Sequence, residues 1–486
     1  MLFPTFSFAV FFLCVFIGFW YVFRRNLDRR LFLVAASYLF YAFWDWRLCG
    51  ILFLSTAANY GFEMLVGMNR DHPRRKLVLV LSVLFNLLLL GFFKYYNFFA
   101  ETANGLIGRF AGGSPASSPL FPALSVLLPV GISFYTFKAM SLVFDVYLCK
   151  LPPVRSFLDV MLYVSFFPQV ASGPIVHACD FFPQIRPAVE AGIDPDSKPI
   201  EFNRASLLVM SGLLKKMVFA NFLSTLLVSP VFSAPSSYGP PAVLLAAVAY
   251  SVVIYCDFSG YSDMAIGIAL LLGFQTPENF HRPYLSFSVT EFWKRWHITF
   301  SSWLRNYLYF SLGGSRFGLA RTLFALFFTM ILGGLWHGAS LTFIVWGAMQ
   351  GLALALERGF NYGNRRSPRP LIGALQILGT FAFTTASWIV FRSSSLGDVF
   401  QFVKALFAGA AGPAVQSAPS PLSPLVIVLV CLGLGMHAVP ERIRSRTFTV
   451  YGVLPLPVKA FCFAAFFGFL AVVSMSGIAP FIYFQF

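Results

Sequence analysis

Two histidines lie in polar segments bordered by long apolar runs. His297 ends the segment Glu291-Phe-Trp-Lys-Arg-Trp-His297, and His337 lies in Gly333-Gly-Leu-Trp-His-Gly338. A neutral imidazole is a natural general base near neutral pH, since its unperturbed pKa is about 6.5. Ionisable groups within membrane segments are costly and usually mark a pathway or a reacting site. One such histidine is as often structural as functional, but two of them favour proton-transfer chemistry.

The residues around His297 allow a second interpretation. Read as one helix, residues 291–309 place Glu291 and Arg295 at ion-pair spacing on a polar stripe. The opposite stripe is aromatic and contains Trp293, Trp296, Phe300, Trp303 and Tyr307. Tryptophan-rich amphipathic helices commonly lie at the membrane interface, so a purely structural role stays open. His297 would lie on the aromatic side, where its ring is costly without a partner.

Other polar residues give weaker signals. Asp257 and Asp263 border Asp-Phe-Ser-Gly-Tyr-Ser-Asp, where they could serve a site or simply cap helices and close turns. The remaining histidines are predicted to be solvated or interfacial: His72, His177, His281 and His437. The sequence contains no Walker loop, no zinc-like ligand spacing and no G-x-S-x-G nucleophile elbow. We therefore predict no metal and no bound cofactor, and the pattern argues against a self-sufficient serine esterase.

The composition places these segments in a membrane. Of the 486 residues, 58% are hydrophobic and only 11% are charged, whereas about a quarter of a soluble domain is charged. A span needs about 20 apolar residues. We predict an all-α, polytopic integral membrane protein with about 11 transmembrane helices plus re-entrant or interfacial helices. The candidate spans are residues 5–23, 31–44, 48–67, 77–99, 123–148, 157–176, 205–232, 241–273, 321–337, 340–357, 371–391, 423–439 and 456–476.

The net charge of +16 predicts membrane topology rather than nucleic-acid binding. Basic residues cluster in short loops between apolar runs, which is typical of cytoplasmic loops under the positive-inside rule. This rule assigns residues 24–30, 68–76, 358–370 and 440–446 to the cytoplasm and the N-terminus to the far side. The first apolar run lacks a basic leader and a cleavage site, which indicates a retained span. Seven dispersed cysteines give neither a disulfide framework nor a metal site.

Several ordered motifs resemble the membrane-bound O-acyltransferase family. They are Leu128-Pro-Val-Gly-Ile-Ser-Phe-Tyr135, Phe167-Pro-Gln-Val-Ala-Ser-Gly-Pro174, Asp257-Phe-Ser-Gly-Tyr-Ser-Asp-Met-Ala-Ile-Gly267, Glu291-Phe-Trp-Lys-Arg-Trp-His297, Trp303-Leu-Arg-Asn-Tyr-Leu-Tyr309, Leu332-Gly-Gly-Leu-Trp-His-Gly338 and Phe481-Ile-Tyr-Phe-Gln-Phe486. The resemblance covers nearly the whole chain and is strongest to the bacterial polysaccharide O-acetylation branch. It implies one membrane-embedded domain over residues 1–486, with a central funnel and a catalytic motif region at about 255–345.

The resemblance also implies residue roles. His337 matches the catalytic histidine of the family, and His297 matches the second histidine of the site. We expect substrate contacts from the tryptophans that would line the passage, from cations that would hold coenzyme A phosphates, and from one aspartate: Trp293, Trp296, Trp303, Trp336, Lys294, Arg295, Arg305 and Asp257.

The implied reaction moves an acetyl group across a bacterial inner membrane. The donor would be cytoplasmic acetyl-CoA, and the acceptor a periplasmic acetyltransferase partner or a polysaccharide, with membrane lipids around the protein. As a hypothesis, His337 deprotonates the acceptor hydroxyl while His297 donates a hydrogen bond to the carbonyl oxygen or orients the thioester. A covalent acyl-histidine stays open. The alternatives are an acyl-group transporter or flippase without bond chemistry, and a scaffold that recruits a polysaccharide synthase.

Overall fold

The structure, a computed structural model, describes residues 2–68, 73–110, 120–124, 127–190, 201–363, 366–407 and 422–473. Within these residues every regular element is a helix and there is no β-strand. The predicted all-α class is confirmed. The C-terminal motif 481–486 and His72 lie outside the described residues.

Seven helical segments of the described residues are long and apolar enough to cross a membrane. An eighth candidate is the pair Pro424–Ala438 and Glu441–Val453, which is bent by 92°. The polytopic architecture is confirmed, although fewer segments reach spanning length than the predicted number of about 11. Residues 157–176, for example, form two short helices, because the backbone at Phe166 is non-helical and Pro168 follows it.

By internal contacts the chain divides into two compact units. The first comprises Val10–Lys198 and Gly338–Ser340, and the second comprises Leu2–Ala9, Pro199–His337 and Leu341–Phe486. The prediction of one domain over residues 1–486 stays a prediction. Helix α1 (Phe6–Ile17) contributes to both units. The first unit contains α2 (Asn26–Ala42), α3 (Leu48–Met68), α4 (Arg75–Leu90), α5 (Tyr96–Phe110), α6 (Ile132–Tyr147), α7 (Phe157–Ser165), α8 (Phe167–Val170) and α9 (Ala178–Glu190).

The first unit is held partly by polar groups buried between helices. Asn59 of α3 and Asn86 of α4 exchange two amide hydrogen bonds of 3.1 and 2.8 Å. Lys138 of α6 is buried and donates to Gln169 at 2.8 Å. Buried polar side chains of this kind need partners, because an unpaired group away from water is costly. These contacts therefore fix how α3, α4, α6 and α8 pack.

The second unit carries the predicted catalytic region. Its helices are α10 (Phe202–Leu214), α11 (Asn221–Leu223), α12 (Ser229–Ser233), α13 (Pro240–Leu271), α14 (Val289–Arg295), α15 (Ile298–Trp303), α16 (Gly318–His337), α17 (Leu341–Gly359), α18 (Pro370–Arg392), α19 (Leu396–Phe407), α20 (Pro424–Gly435), α21 (Glu441–Val453) and α22 (Leu456–Val473). Helix α13 is the centre of this unit: 83% of its most apolar stretch is buried inside the protein. A helix that is apolar on all sides and enclosed in this way belongs to a core.

Candidate active site

His337 is the last residue of α16 and is enclosed by aromatic rings. Its side chain is buried. The centroid of the imidazole lies 4.9 Å from Trp336, 5.3 Å from Phe300, 5.2 Å from Trp346 and 5.4 Å from Phe391. Water is therefore displaced from most of the ring, which strengthens any hydrogen bond made there.

Glycines bring α16 and α17 together at this point. A Cβ atom on Gly334 would lie 2.2 Å from the carbonyl oxygen of Phe343, and one on Gly347 would lie 2.4 Å from that of Met330. No side chain fits at such distances, so the two backbones meet only because both residues are glycine. The close crossing places Trp346, which adjoins Gly347, against His337.

His297 lies in a break between two helices. The predicted single helix over residues 291–309 is wrong: α14 ends at Arg295, α15 begins at Ile298, and residues 304–309 form a π-helix. His297 has φ of +43°, a left-handed conformation that is unfavourable for a residue with a side chain. Such strain costs about 1–3 kcal/mol and persists only where the surroundings enforce it. Here the carbonyl of Asn279 accepts a hydrogen bond of 2.9 Å from the backbone N–H of Ile298.

The side chain of Asn279 determines which nitrogen of His297 carries the proton. Its Oδ1 accepts from the Thr299 hydroxyl at 2.9 Å and from the Thr299 backbone N–H at 3.3 Å, while its Nδ2 donates to Ser262 at 3.1 Å. Oδ1 is therefore the acceptor side of the amide. The Nδ1 atom of His297, 3.1 Å from Oδ1, must then be the donor. In the neutral ring this leaves a lone pair on Nε2.

Burial keeps His297 neutral. The side chain is enclosed, and the loss of solvation lowers the pKa of the imidazole well below its usual value. Neutral His297 with a proton on Nδ1 can only accept through Nε2. Nε2 of His297 therefore does not provide the hydrogen-bond donor that is the first of the two roles predicted for this residue, and the second role, orienting the thioester, stays a prediction.

The two predicted site histidines pack against one shared ring. Phe300 lies 4.9 Å from His297 and 5.3 Å from His337, measured between ring centroids. Trp336 is near both histidines as well, with its ring centroid 6.3 Å from His297 and 4.9 Å from His337. The structure thus brings together His297, His337 and Trp336, which are separated by up to 40 positions in the sequence.

The other predicted tryptophans are buried as well. Trp293 donates its indole N–H to Gln350 at 3.1 Å and packs on Trp346. Trp296 is buried in a cluster of aromatic rings, and Trp303 is buried beside Tyr307. Trp293 is therefore one ring from the site, through Trp346.

The cations predicted to hold coenzyme A phosphates are either paired with other side chains or exposed. Arg295 forms an ion pair with Glu291, as their spacing indicated. Lys294 and Arg305 are exposed to the surroundings, and Arg305 contacts Asn306 at 3.3 Å. The exposure of Lys294 and Arg305 contrasts with the burial of the two imidazoles.

Asp257 and Asp263 lie inside α13 rather than in a turn, so the turn-forming alternative is wrong. Asp257 is buried in an ion pair with Lys216, and Asp263 pairs with Lys215 at 2.7 Å. A continuous apolar helix can carry these carboxylates because each one has a cation beside it.

The remaining histidines fall in three environments. His281 is exposed, as predicted, and His177 is half-buried. His437, predicted to be solvated or interfacial, is buried instead, with Tyr255 and Tyr284 packed against its ring at 4.3 and 4.9 Å. Its position near a basic loop concealed this burial, because the chain bends between α20 and α21.

The sequence analysis missed Asn279 and Trp346, the two residues that most constrain the histidines. Asn279 follows Pro277-Glu278 in a segment without helical periodicity, so no pattern linked it to His297. Trp346 lies within an apolar run, where a tryptophan is ordinarily interpreted as part of the hydrophobic core. Only the close crossing of α16 and α17 gives Trp346 its position.

A cavity of about 440 Å³ opens beside the first turn of α14. It is lined by α14, by the last turns of α17 and by the first half of α18, including Val289, Glu357, Gln376, Thr380 and Phe383. Farther along α17 on the same helical face are Gln350 and Trp346, which are seven and eleven positions from Glu357. The facing sides of these helices thus lead from the cavity towards His337.

Comparison with known proteins agrees with the fold and the motifs. The membrane-bound O-acyltransferase family profile matches residues 38–396. A probable alginate O-acetylase AlgI of Pseudomonas aeruginosa is 38% identical over 409 residues, covering 84% of this chain and 75% of that protein. The peptidoglycan O-acetyltransferase of Helicobacter pylori is 33% identical over 79% of this chain and 74% of its own. A teichoic acid D-alanyltransferase of Bacillus subtilis is 25% identical over 51% of this chain and 63% of its own. The chain is an acyltransferase that belongs to the membrane-bound O-acyltransferase family.

Proposed function

We propose that this multi-pass membrane protein takes an acetyl group from cytoplasmic acetyl-CoA and passes it across a bacterial inner membrane for O-acetylation of an extracytoplasmic polysaccharide. The acetyl group reaches the polymer directly or through a periplasmic acetyltransferase partner. The N-terminus then lies on the periplasmic side, in agreement with the basic loops. The names of the relatives support a polysaccharide acceptor, because two of them act on alginate or peptidoglycan.

The observation that carries the proposal is the pair of buried imidazoles against Phe300. Two buried histidines cost solvation energy, and His297 adds a strained backbone. A protein that needed only to hold the helices together would use apolar side chains at these positions. The cost is explained if the imidazoles handle a proton during acyl transfer.

In the proposed reaction His337 removes the proton from the acceptor hydroxyl as the oxygen attacks the acetyl carbonyl. His297 accepts a hydrogen bond through Nε2, so it orients a hydroxyl group rather than polarising a carbonyl. Asn279 is a positioning residue, because its Oδ1 holds the proton on Nδ1 of His297. The enclosure by Phe300 and Trp336 keeps water, a competing nucleophile, away from the thioester.

The cavity beside α14 supports a route for the donor. Residues 358–370, predicted to be cytoplasmic, connect the two helices that line it, and Arg358, Arg366 and Arg369 are exposed there. Cations of this kind suit the phosphates of coenzyme A. The acetyl end would then extend along α17 past Gln350 to His337.

The experiment is acetyl transfer in proteoliposomes. Radiolabelled acetyl-CoA is added to one face, and free CoA and labelled acceptor are measured for wild type, His337→Ala and His297→Ala. The matched control is His281→Ala, since His281 carries an exposed imidazole. We expect His337→Ala to lose at least about 100-fold in rate, the usual contribution of a general base, with the control unchanged. His297→Ala should lose less.

Transfer that survives in both site variants would contradict the proposal. The protein would then be a conduit whose bond chemistry belongs to a partner, the transporter alternative. If CoA is released but no polymer becomes labelled, thioester cleavage at this site is supported and the proposed polysaccharide acceptor is wrong.

A further inference from the structure

The enclosure around His337 contains a hydrogen-bond donor that the fold does not use. Trp346 is buried with 1% of its surface exposed. Among the described residues, none accepts a hydrogen bond from its indole Nε1. A buried donor left unsatisfied costs about 1–3 kcal/mol. By contrast, Trp293 in the same cluster is satisfied by Gln350 at 3.1 Å.

The indole of Trp346 is held in one orientation. It is stacked on Trp388 at 5.7 Å with an interplanar angle of 17°, and Trp293 and Phe391 pack against it at 5.9 and 5.2 Å. His337 meets it edge to face, at 5.2 Å and 88°. The backbone beside it is fixed as well, because Gly347 packs directly on α16. A donor with a fixed direction needs no reorganisation when charge develops near it.

Acyl transfer needs such a donor at this place. The carbonyl oxygen of the acetyl group becomes an oxyanion in the tetrahedral intermediate, and removing one donor to that oxygen typically costs about 100–1,000-fold in kcat. His297 does not supply it through Nε2, which carries the lone pair while Asn279 holds the proton on Nδ1. An indole N–H is a donor only and never an acceptor, so it suits an oxyanion.

We propose that Trp346 is a catalytic residue whose indole N–H stabilises the oxyanion of the acetyl group beside His337. The inference rests on the proposed acetyl transfer. The hydroxyl proton of the acceptor moves to His337, its oxygen bonds to the acetyl carbon, and the carbonyl oxygen takes the negative charge against Nε1 of Trp346. The C–S bond then breaks, the carbonyl re-forms, and the proton on His337 passes to the thiolate of coenzyme A.

The test compares Trp346→Phe with Trp388→Phe in the full-length protein in proteoliposomes. Both changes remove a buried indole N–H that has no acceptor among the described residues, and of the two rings it is Trp346 that packs against His337. We expect Trp346→Phe to lower kcat for acetyl transfer about 100-fold while the KM for acetyl-CoA changes less than about twofold, since the donor acts on the transition state. Trp388→Phe should retain at least about a third of the wild-type kcat, because a loss limited to packing reduces the folded fraction rather than the rate per folded molecule.

A second variant separates the lost N–H from the lost volume. Replacing Trp346 by 3-benzothienylalanine keeps the size of the ring and substitutes sulfur for N–H. The same fall in kcat supports the proposal, whereas near wild-type kcat in this variant overturns it. If His337→Ala abolishes transfer while both Trp346 variants retain it, only the oxyanion role fails. If His337→Ala also retains transfer, the proposed function itself fails.

Discussion

Two buried polar regions of the second unit differ in how their groups are satisfied. In α13 the carboxylates of Asp257 and Asp263 are each paired with a lysine of the preceding helical segment. Around His337, by contrast, Trp346 retains an indole N–H without an acceptor among the described residues. The first region balances its charges internally. The second holds a donor for which the fold provides no use.

We expect this difference to mark where chemistry occurs in this protein. A polar group that is satisfied within the protein contributes to stability or specificity, and a ligand would have to compete for it. The strained backbone of His297 costs stability that a function must justify. Ser259 of α13 also lacks a hydrogen-bond partner among the described residues, so the N–H of Trp346 is distinguished by its contact with His337. We therefore expect substitutions in α13 to change stability and substitutions near the histidines to change turnover.

The largest stability effect should follow from breaking the ion pair in α13. Lys216→Met leaves the Asp257 carboxylate buried without its cation, which costs about 3–5 kcal/mol. The apparent unfolding temperature of the detergent-solubilised protein should fall strongly. The matched variant is Lys216→Met with Asp257→Leu, which should recover most of the stability because apolar pairs often replace buried ion pairs. A single variant as stable as wild type would contradict this assignment.

Asn279→Ala should have the largest effect on turnover among residues outside the proposed reacting groups. Without Oδ1 the proton of His297 is no longer held on Nδ1, and we expect kcat to fall about 10–100-fold, at the lower end of an acid–base contribution. Asn279→Asp keeps an acceptor there but adds a negative charge beside the ring. That charge favours the imidazolium and should move the acid limb of the pH–rate profile to higher pH. A role limited to packing would leave the profile unmoved.

A smaller effect is expected from Gly347→Ala, which tests the crossing of α16 and α17. The added methyl would lie 2.4 Å from the Met330 carbonyl oxygen, so the helices must separate at a cost of about 1–3 kcal/mol. Turnover should fall together with stability, because Trp346 adjoins Gly347. Gly468→Ala in α22 is the control, since among the described residues no atom outside its own helical backbone lies within 4 Å of the added Cβ. Equal stability of the two variants would exclude the close crossing.

The smallest effect concerns pH. Burial lowers the pKa of His297 in the folded state, so below about pH 6.5 the unfolded chain binds a proton that the folded protein excludes. The free energy of unfolding should therefore decrease as the pH falls from about 6.5, by up to about 1.4 kcal/mol per unit, and it should gain nothing above pH 7. His297→Gln should flatten this slope, as measured by apparent unfolding temperature between pH 5.5 and 7.5. An unchanged slope would show that other groups cause it.

The sequence predicted the fold class better than the local geometry. Hydropathy was sufficient to predict a polytopic helical protein, and the polar segments drew attention to His297 and His337, which the structure brings against one ring. The break at His297 could not be predicted, because it depends on a hydrogen bond between Ile298 and Asn279, a residue from a separate segment. Periodicity is a local signal, and it favoured one helix across residues 291–309.

Two further features depend on tertiary contacts alone. Asp257 and Asp263 resemble turn residues in sequence, yet they lie within α13 because Lys216 and Lys215 come from another part of the fold. Trp346 resembles any other tryptophan of an apolar run, and only helix packing brings it to His337. Residue type was visible in the sequence. The partner that each side chain meets in the fold, a lysine for the two aspartates and His337 for Trp346, was not.

The most direct test of the contrast is acetyl transfer per folded molecule in proteoliposomes. His337→Ala would be measured beside the double variant Lys215→Met with Asp263→Leu, which removes the other ion pair of α13, each normalised to the folded fraction. We predict that His337→Ala loses at least about 100-fold in kcat, while the double variant stays within about threefold of wild type because it removes only a structural pair. Retained transfer in His337→Ala, or its loss in the double variant, would contradict the account.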